Sequence, residues 1–299
     1  MPNLPVKRRA HRREDEEMVR LKEVGQLRRY RFPLLLVTFT VVMLANAVIM
    51  QLVSPIALLA LPVGAVSVLV VLAGYRKLSQ VVEQRADIPE LATPRMWSQL
   101  RRGALLGSGL FVLLILLIGM FGGWQDMSWG SIWGCLGTAG LVASVAVTEE
   151  VLFRGVLFRI MEERTGTVIA LLVSSLIFGL AHSINAEATL WGVLSIALTG
   201  GLLTTAAYVT TRSLWLSIGL HFAWNFTHAG IFGVALSGSA EVPHGLLQTT
   251  LSGPAVVTGG TFGPEASLIA LLVCVVPSVA LLRRAARTGQ IKPRVKAGA

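Results

Sequence analysis

The sequence predicts an all-α fold, a polytopic membrane helix bundle of about eight transmembrane helices with both termini on the cytoplasmic side. Three observations predict it. The chain is 54% hydrophobic and only 14% charged, with a mean hydropathy of +0.68, so it lacks the polar residues a soluble domain needs to cover its surface. Its apolar residues fall in blocks of roughly 20, the length at which a helix crosses a bilayer. Its basic residues all fall on one side of an eight-crossing arrangement.

In chain order, residues 1–31 form a polar tail with ten Lys and Arg and no apolar periodicity, suited to the anionic inner leaflet. The apolar blocks follow at residues 32–53, 55–74, 103–122, 131–153, 167–186, 189–209, 214–236 and 266–282. Each is read as a helix, because no other open-ended structure satisfies its own backbone in lipid. The first block follows a charged tail and is too long for a cleavable leader, so it is expected to remain as an anchor. Residues 76–102 form a cytoplasmic connector containing Pro89 and Pro94, with a short surface helix expected there. Residues 237–265, rich in Gly, Ser, Thr and Pro, are expected to be an irregular outer loop. The chain thus divides into a basic tail (1–31), three N-terminal helices with their connector (32–128), a core of four helices (129–236), the outer loop (237–265), and a last helix with a basic tail (266–299). It carries no internal repeat of the kind that builds inverted-repeat transporters.

Orientation follows from the Lys and Arg distribution. Beyond the tail, six lie between the second and third blocks: Arg76, Lys77, Arg85, Arg95, Arg101 and Arg102. Arg154, Arg159 and Arg164 mark the end of the fourth block, Arg212 separates the sixth from the seventh, and six more follow the eighth. The opposite loops carry Asp126, Glu187, Glu241 and Glu265 and no basic residue. Seven or nine crossings would destroy this segregation. The expected location is therefore the cell (plasma or inner) membrane, multi-pass, with lipid as a partner.

The net charge of +10 is not read as a nucleic-acid signal, because the basic residues are interspersed between apolar blocks rather than gathered in one patch. Cys135 and Cys274 both sit in apolar segments and fit no metal-ligand spacing, so they are read as small buried side chains.

Ionisable side chains inside apolar blocks are costly and mark function by default. In Thr148-Glu149-Glu150-Val151-Leu152-Phe153-Arg154, Glu150 and Arg154 are four residues apart and share a helix face, so they pair. Glu149 points about 100° away. One carboxylate then has a counter-ion, and the other is free to act as a general base. Phe178 and His182 are also four apart. The helix carrying Glu149 continues to a turn near Thr165-Gly166, and Glu149 and His182 stand 16 residues either side of it. In an antiparallel hairpin both lie at one level, about 24 Å from the turn, where they can share a water. His221 and Asn225 occupy one face of the next candidate helix, and both side chains can donate to an oxyanion. His228 continues that face and is read as packing. Glu149, His182 and His221 are also the set that would hold a zinc ion. The absence of an HExxH spacing favours chemistry without an obligatory metal. The run Thr258-Gly259-Gly260-Thr261-Phe262-Gly263-Pro264-Glu265, just before the last helix, is read chiefly as a rigid outer cap. It faintly resembles an anion-coordinating loop of chloride channels, with no other channel signature beside it.

Glu149-Glu150-x-x-x-Arg154, Phe178-x-x-x-His182 and His221-x-x-x-Asn225, in this order on successive membrane helices, resemble the motifs of the CAAX prenyl endopeptidase and bacteriocin-processing family of intramembrane proteases. The resemblance covers about residues 131–232. It implies a helical membrane fold with a cavity open towards the cytoplasm. Glu149 and His182 would activate water, His221 and Asn225 would stabilise the oxyanion, and Glu150 and Arg154 would support the geometry. The residues alone do not rank Glu149 above Glu150.

The expected function is an intramembrane endopeptidase acting on a membrane-associated substrate, a prenylated CaaX-type protein or a bacteriocin-like peptide, with no nucleic-acid partner. The alternatives are a non-catalytic membrane immunity or scaffold protein and, behind it, a transporter or channel.

Overall fold

The computed structural model describes residues 28–239 and 244–294. Most of the basic N-terminal tail, Glu241 and Lys296 lie outside the described residues. Among the described residues, six helices are long and apolar enough to cross a membrane: Arg31–Val53, Ala57–Val82, Pro89–Met120, Ile132–Ile184, Leu190–Thr211 and Leu268–Arg287. Their exposed residues are largely Leu, Val and Ile, as expected where the outside solvent is hydrocarbon.

We label the helices α1 (Arg31–Val53), α2 (Ala57–Val82), α3 (Met96–Met120), α4 (Ile132–Glu150), α5 (Arg159–Ala181), α6 (Leu190–Ile196), α7 (Leu202–Thr211), α8 (Leu214–Asn225), α9 (Ala255–Thr258) and α10 (Leu268–Arg287). Three wider, π-helical stretches join or extend them: Val151–Phe158 between α4 and α5, Ala197–Gly201 between α6 and α7, and Phe226–Ile231 after α8. The connector after α2 forms two short 3₁₀ turns, Pro89–Leu91 and Thr93–Arg95, where a surface helix was expected.

The run Ile132–Ile184 is 53 residues long, but it is not one rod. Gly166 has φ +78°, a conformation that costs glycine little and breaks the helix inside α5. The chain folds back there, bringing the Phe153 and Phe178 rings to 5.0 Å in an edge contact. This is the hairpin expected near Thr165-Gly166. The C-terminal segment lies over the turn: the Thr167 N–H donates to the Lys292 carbonyl, and Arg212 donates to Glu162 at 2.5 and 2.9 Å.

Close backbone approach fixes α8. A Cβ on Gly107 of α3 would stand 2.3 Å from the Leu220 carbonyl oxygen, and one on Gly103 would stand 2.3 Å from that of Leu216. Small residues let two helices approach this closely in a membrane bundle, and here they seat the helix carrying His221. Helix α4 is seated likewise on α2, where Gly64 meets Gly140.

The outer side departs from the expected irregular loop. Residues Leu247–Leu251 (β2) pair antiparallel with Trp124–Trp129 (β1), with a bulge between Trp124 and Asp126. Helix α5 ends at Ala181, five residues short of the expected block, and the seventh block is helical to Ile231 rather than Leu236. The outer loops fold inward to fill the space left. The Glu187 N–H donates to the Gly238 carbonyl, and the Gly238 N–H donates to the Phe262 carbonyl at 2.8 Å. Phe262 is 1% exposed and belongs to the main apolar core.

Candidate active site

Glu150 and Arg154 sit at the centre of the bundle, both 0% exposed. Arg154 Nη1 donates to Glu150 Oε1 at 2.9 Å, the pair expected from their spacing. The rest of the guanidinium is also satisfied. Nη2 donates to the Gly201 carbonyl at 2.9 Å, Nε donates to Thr205 Oγ1 at 3.2 Å, and the group lies 4.6 Å over the Phe178 ring. A buried ion pair is favoured when its remaining hydrogen-bonding positions are filled; Gly201 and Thr205 do this for the guanidinium, while Glu150 Oε2 has no partner.

Glu150 also fixes His221. Its Oε1 lies 2.9 Å from His221 Nδ1. A carboxylate accepts, so Nδ1 carries the proton and donates. The other ring nitrogen, Nε2, then points to Glu149, 3.7 Å from its Oε2. Glu149 Oε2 has no hydrogen-bond partner. The adjacent carboxylates have different environments: Glu150 Oε1 is held between Arg154 and His221, with Oε2 unpartnered, while Glu149 lines the cavity and has only His221 Nε2 nearby.

His182 is fixed by the same logic. Its Nδ1 lies 2.9 Å from the Phe178 carbonyl oxygen, which can only accept. The proton is therefore on Nδ1, and Nε2 presents a lone pair. Phe178 stands between the two histidines, with ring centroids 5.0 Å from His182 and 5.9 Å from His221. Asn225, 7% exposed, lies one helical turn beyond His221.

Glu149, His182, His221 and Asn225 all line one cavity of about 260 Å³. Its walls are otherwise mostly apolar, with Met43, Leu44 and Ala47 from α1 and Leu203 and Leu220 from α7 and α8. Leu44 and Ile184, which also line it, are exposed. No Lys or Arg among the described residues lines the cavity.

Among the described residues, no three His, Cys, Asp or Glu side chains are grouped so as to share a metal ion. Glu149, His182 and His221, the set that would hold a zinc ion, line one cavity without forming such a group.

Sequence reasoning missed three contributors. Thr205 and the Gly201 carbonyl complete the Arg154 shell from residues about 50 positions away, and nothing local to either marks it. Glu265, assigned to the outer loop, is 3% exposed and lines the cavity. A charged residue directly abutting the last apolar block was the available signal. His228 is packed, stacked on Phe111 at 4.5 Å.

Among known protein families, residues 135–227 match the one described as Type II CAAX prenyl endopeptidase Rce1-like. No curated protein and no solved structure matches the chain.

Proposed function

The domain over residues 135–227 is Rce1-like, and from that premise we propose that this chain is an intramembrane endopeptidase that hydrolyses a peptide bond of a membrane-associated substrate. One observation carries the proposal. Two imidazoles with defined proton positions and one unpaired carboxylate face the same cavity.

Each group has a step suited to its state. A water sits between Glu149 and the lone pair on His182 Nε2. It adds to the scissile carbonyl carbon while its proton passes to Glu149. The carbonyl oxygen becomes an oxyanion, which Asn225 Nδ2 and His221 Nε2 stabilise. His221 needs a proton on both nitrogens for this. It lies between two carboxylates, Glu150 at 2.9 Å and Glu149 at 3.7 Å. Protonated Glu149 then gives its proton to the leaving nitrogen as the C–N bond breaks. Glu150 and Arg154 are positioning residues; they hold the imidazole and do not touch substrate.

The apolar walls suit a substrate that is itself lipid-anchored or apolar, whether a prenylated CaaX-type protein or a bacteriocin-like peptide. The eight-crossing arrangement with cytoplasmic termini belongs to the same proposal. It is supported by the reversal at Gly166, which makes two crossings of the run Ile132–Ile184, and by the segregated basic residues.

The test compares peptide termini in membranes carrying the native chain and Glu149→Gln at equal abundance. A defined set of termini is expected to vanish with the substitution, because general-base catalysis contributes about 10²–10⁴-fold. Identical profiles under conditions where the protein has a phenotype would sink the protease reading in favour of an immunity or scaffold role.

A further inference from the structure

Buried carboxylates in this protein come with arginines. Glu83 pairs with Arg159, Glu90 with Arg85, Glu150 with Arg154, and Glu162 with Arg212. Glu265, at 3% exposure, breaks the pattern. Its Oε1 accepts from Trp224 Nε1 at 2.8 Å and its Oε2 from Ser237 Oγ at 2.6 Å, both neutral donors. Among the described residues no Lys or Arg pairs with it, and none lines the cavity that it faces. An ionised carboxylate has about four acceptor positions, so two remain unused.

A carboxylate buried without a cation is costly, and the cost is tolerated where the cation arrives with a ligand. Glu149 also has no arginine, but it stands 3.7 Å from His221 and is assigned to water activation. Glu265 is held elsewhere. Trp224 stands between His221 and Asn225 on α8, and all three line the cavity that Glu265 lines.

We propose that Glu265 is a specificity-determining residue that pairs with a Lys or Arg side chain of the peptide substrate bound in this cavity. This rests on the endopeptidase reading and narrows it to substrates with a basic residue. The plainer role for Glu265 is a lock that holds the outer cap to α8 through its two hydrogen bonds. Charge separates the two roles. Glu265→Gln still accepts from Trp224 and can donate to Ser237 Oγ, so a lock persists while the charge is lost.

The experiment profiles peptide termini for the native chain, Glu265→Gln, Ser237→Ala and Glu149→Gln at equal membrane abundance. Glu149-dependent termini are expected to carry Lys or Arg near the cut. Glu265→Gln is expected to lower cleavage of those sites about tenfold or more through KM, with sites lacking a basic residue little changed. Ser237→Ala, which removes a lock bond and keeps the charge, is expected to retain the preference. If Glu265→Gln fails to accumulate, the substrate side decides: on the native enzyme, replacing that Lys by Met in a reporter peptide should weaken cleavage, and replacing it by Glu should weaken it further. Glu149-dependent termini without a basic residue, or an unchanged preference in Glu265→Gln, overturn the inference and leave the lock. No Glu149-dependent termini at all overturns the endopeptidase reading, and this inference with it.

Discussion

Replacing Arg154 by Met leaves Glu150 at 0% exposure without its cation. The substitution removes hydrogen bonds to Glu150, Gly201 and Thr205 and the stacking on Phe178. Breaking a buried pair by removing one partner costs about 3–5 kcal/mol. Here His221, 2.9 Å from the same carboxylate oxygen, supplies partial compensation when protonated, which places the expected loss near the lower end, about 3 kcal/mol. The double substitution Arg154→Met with Glu150→Met removes both charges, and stability should return most of the way, because an apolar pair of similar volume replaces a buried ion pair at little cost. Proteolysis should not return, since His221 has lost the group that fixes its Nδ1 proton. The assay is unfolding in mixed detergent micelles for the native chain, both single variants and the double, read as a double-mutant cycle, beside the profile of peptide termini. A single Arg154→Met variant as stable as the native chain would refute the reasoning, as would a double variant that cleaves normally.

Two further expectations follow from the fold. Gly166→Ala puts a side chain at φ +78° and a Cβ 2.8 Å from the backbone nitrogen of Arg294, so it should cost about 1–2 kcal/mol and free the C-terminal segment; earlier trimming there by a protease added to the cytoplasmic side checks it. The eight-crossing arrangement is checked by cysteine labelling in intact cells. Native Cys135 and Cys274 are buried, so background is low; Ser128→Cys should react with a membrane-impermeant reagent, and Arg164→Cys should react only after permeabilisation.

Leu44 on α1 and Ile184 after α5 are exposed and line the cavity. The charged network at the end of α2 has a different place. Glu83 and Glu90 gather Arg85 and Arg159, and the Tyr75 hydroxyl lies within hydrogen-bond reach of both Glu90 and the Gly155 carbonyl. Gly155 belongs to the wide helical stretch directly after Glu150. The Gly155 carbonyl accepts from the Tyr75 hydroxyl at 2.9 Å and from Arg159 Nε at 2.7 Å, which ties this stretch to the charged network.

Much of the site's geometry was readable along the chain because it rests on local spacing. Glu150 pairs with Arg154 because four residues place them on one helix face. Glu149 and His182 meet in one cavity because each is 16 residues from a glycine-directed reversal. The proton positions on the histidines were not readable. They depend on the Phe178 carbonyl in one case and on Glu150, 71 residues away, in the other. The place of Glu265 was hidden for the same reason. It is decided by Trp224, 41 residues earlier, and by an outer loop whose β2 strand pairs with β1 more than 100 residues before it.

The sequence by itself determined that the chain is a membrane helix bundle, which apolar blocks form it, where it reverses at Gly166, and which six side chains are too polar to lie in those blocks without a reason. Burial of apolar length and the need to satisfy each helix's own backbone act residue by residue, so a linear reading captures them. The tertiary structure alone decided that Glu150 holds His221 as well as Arg154, that Glu149, His182, His221 and Asn225 line one cavity, and that Glu265 joins its wall. Those outcomes depend on which distant groups compete for the same hydrogen-bonding positions, and that competition exists only once the helices have packed.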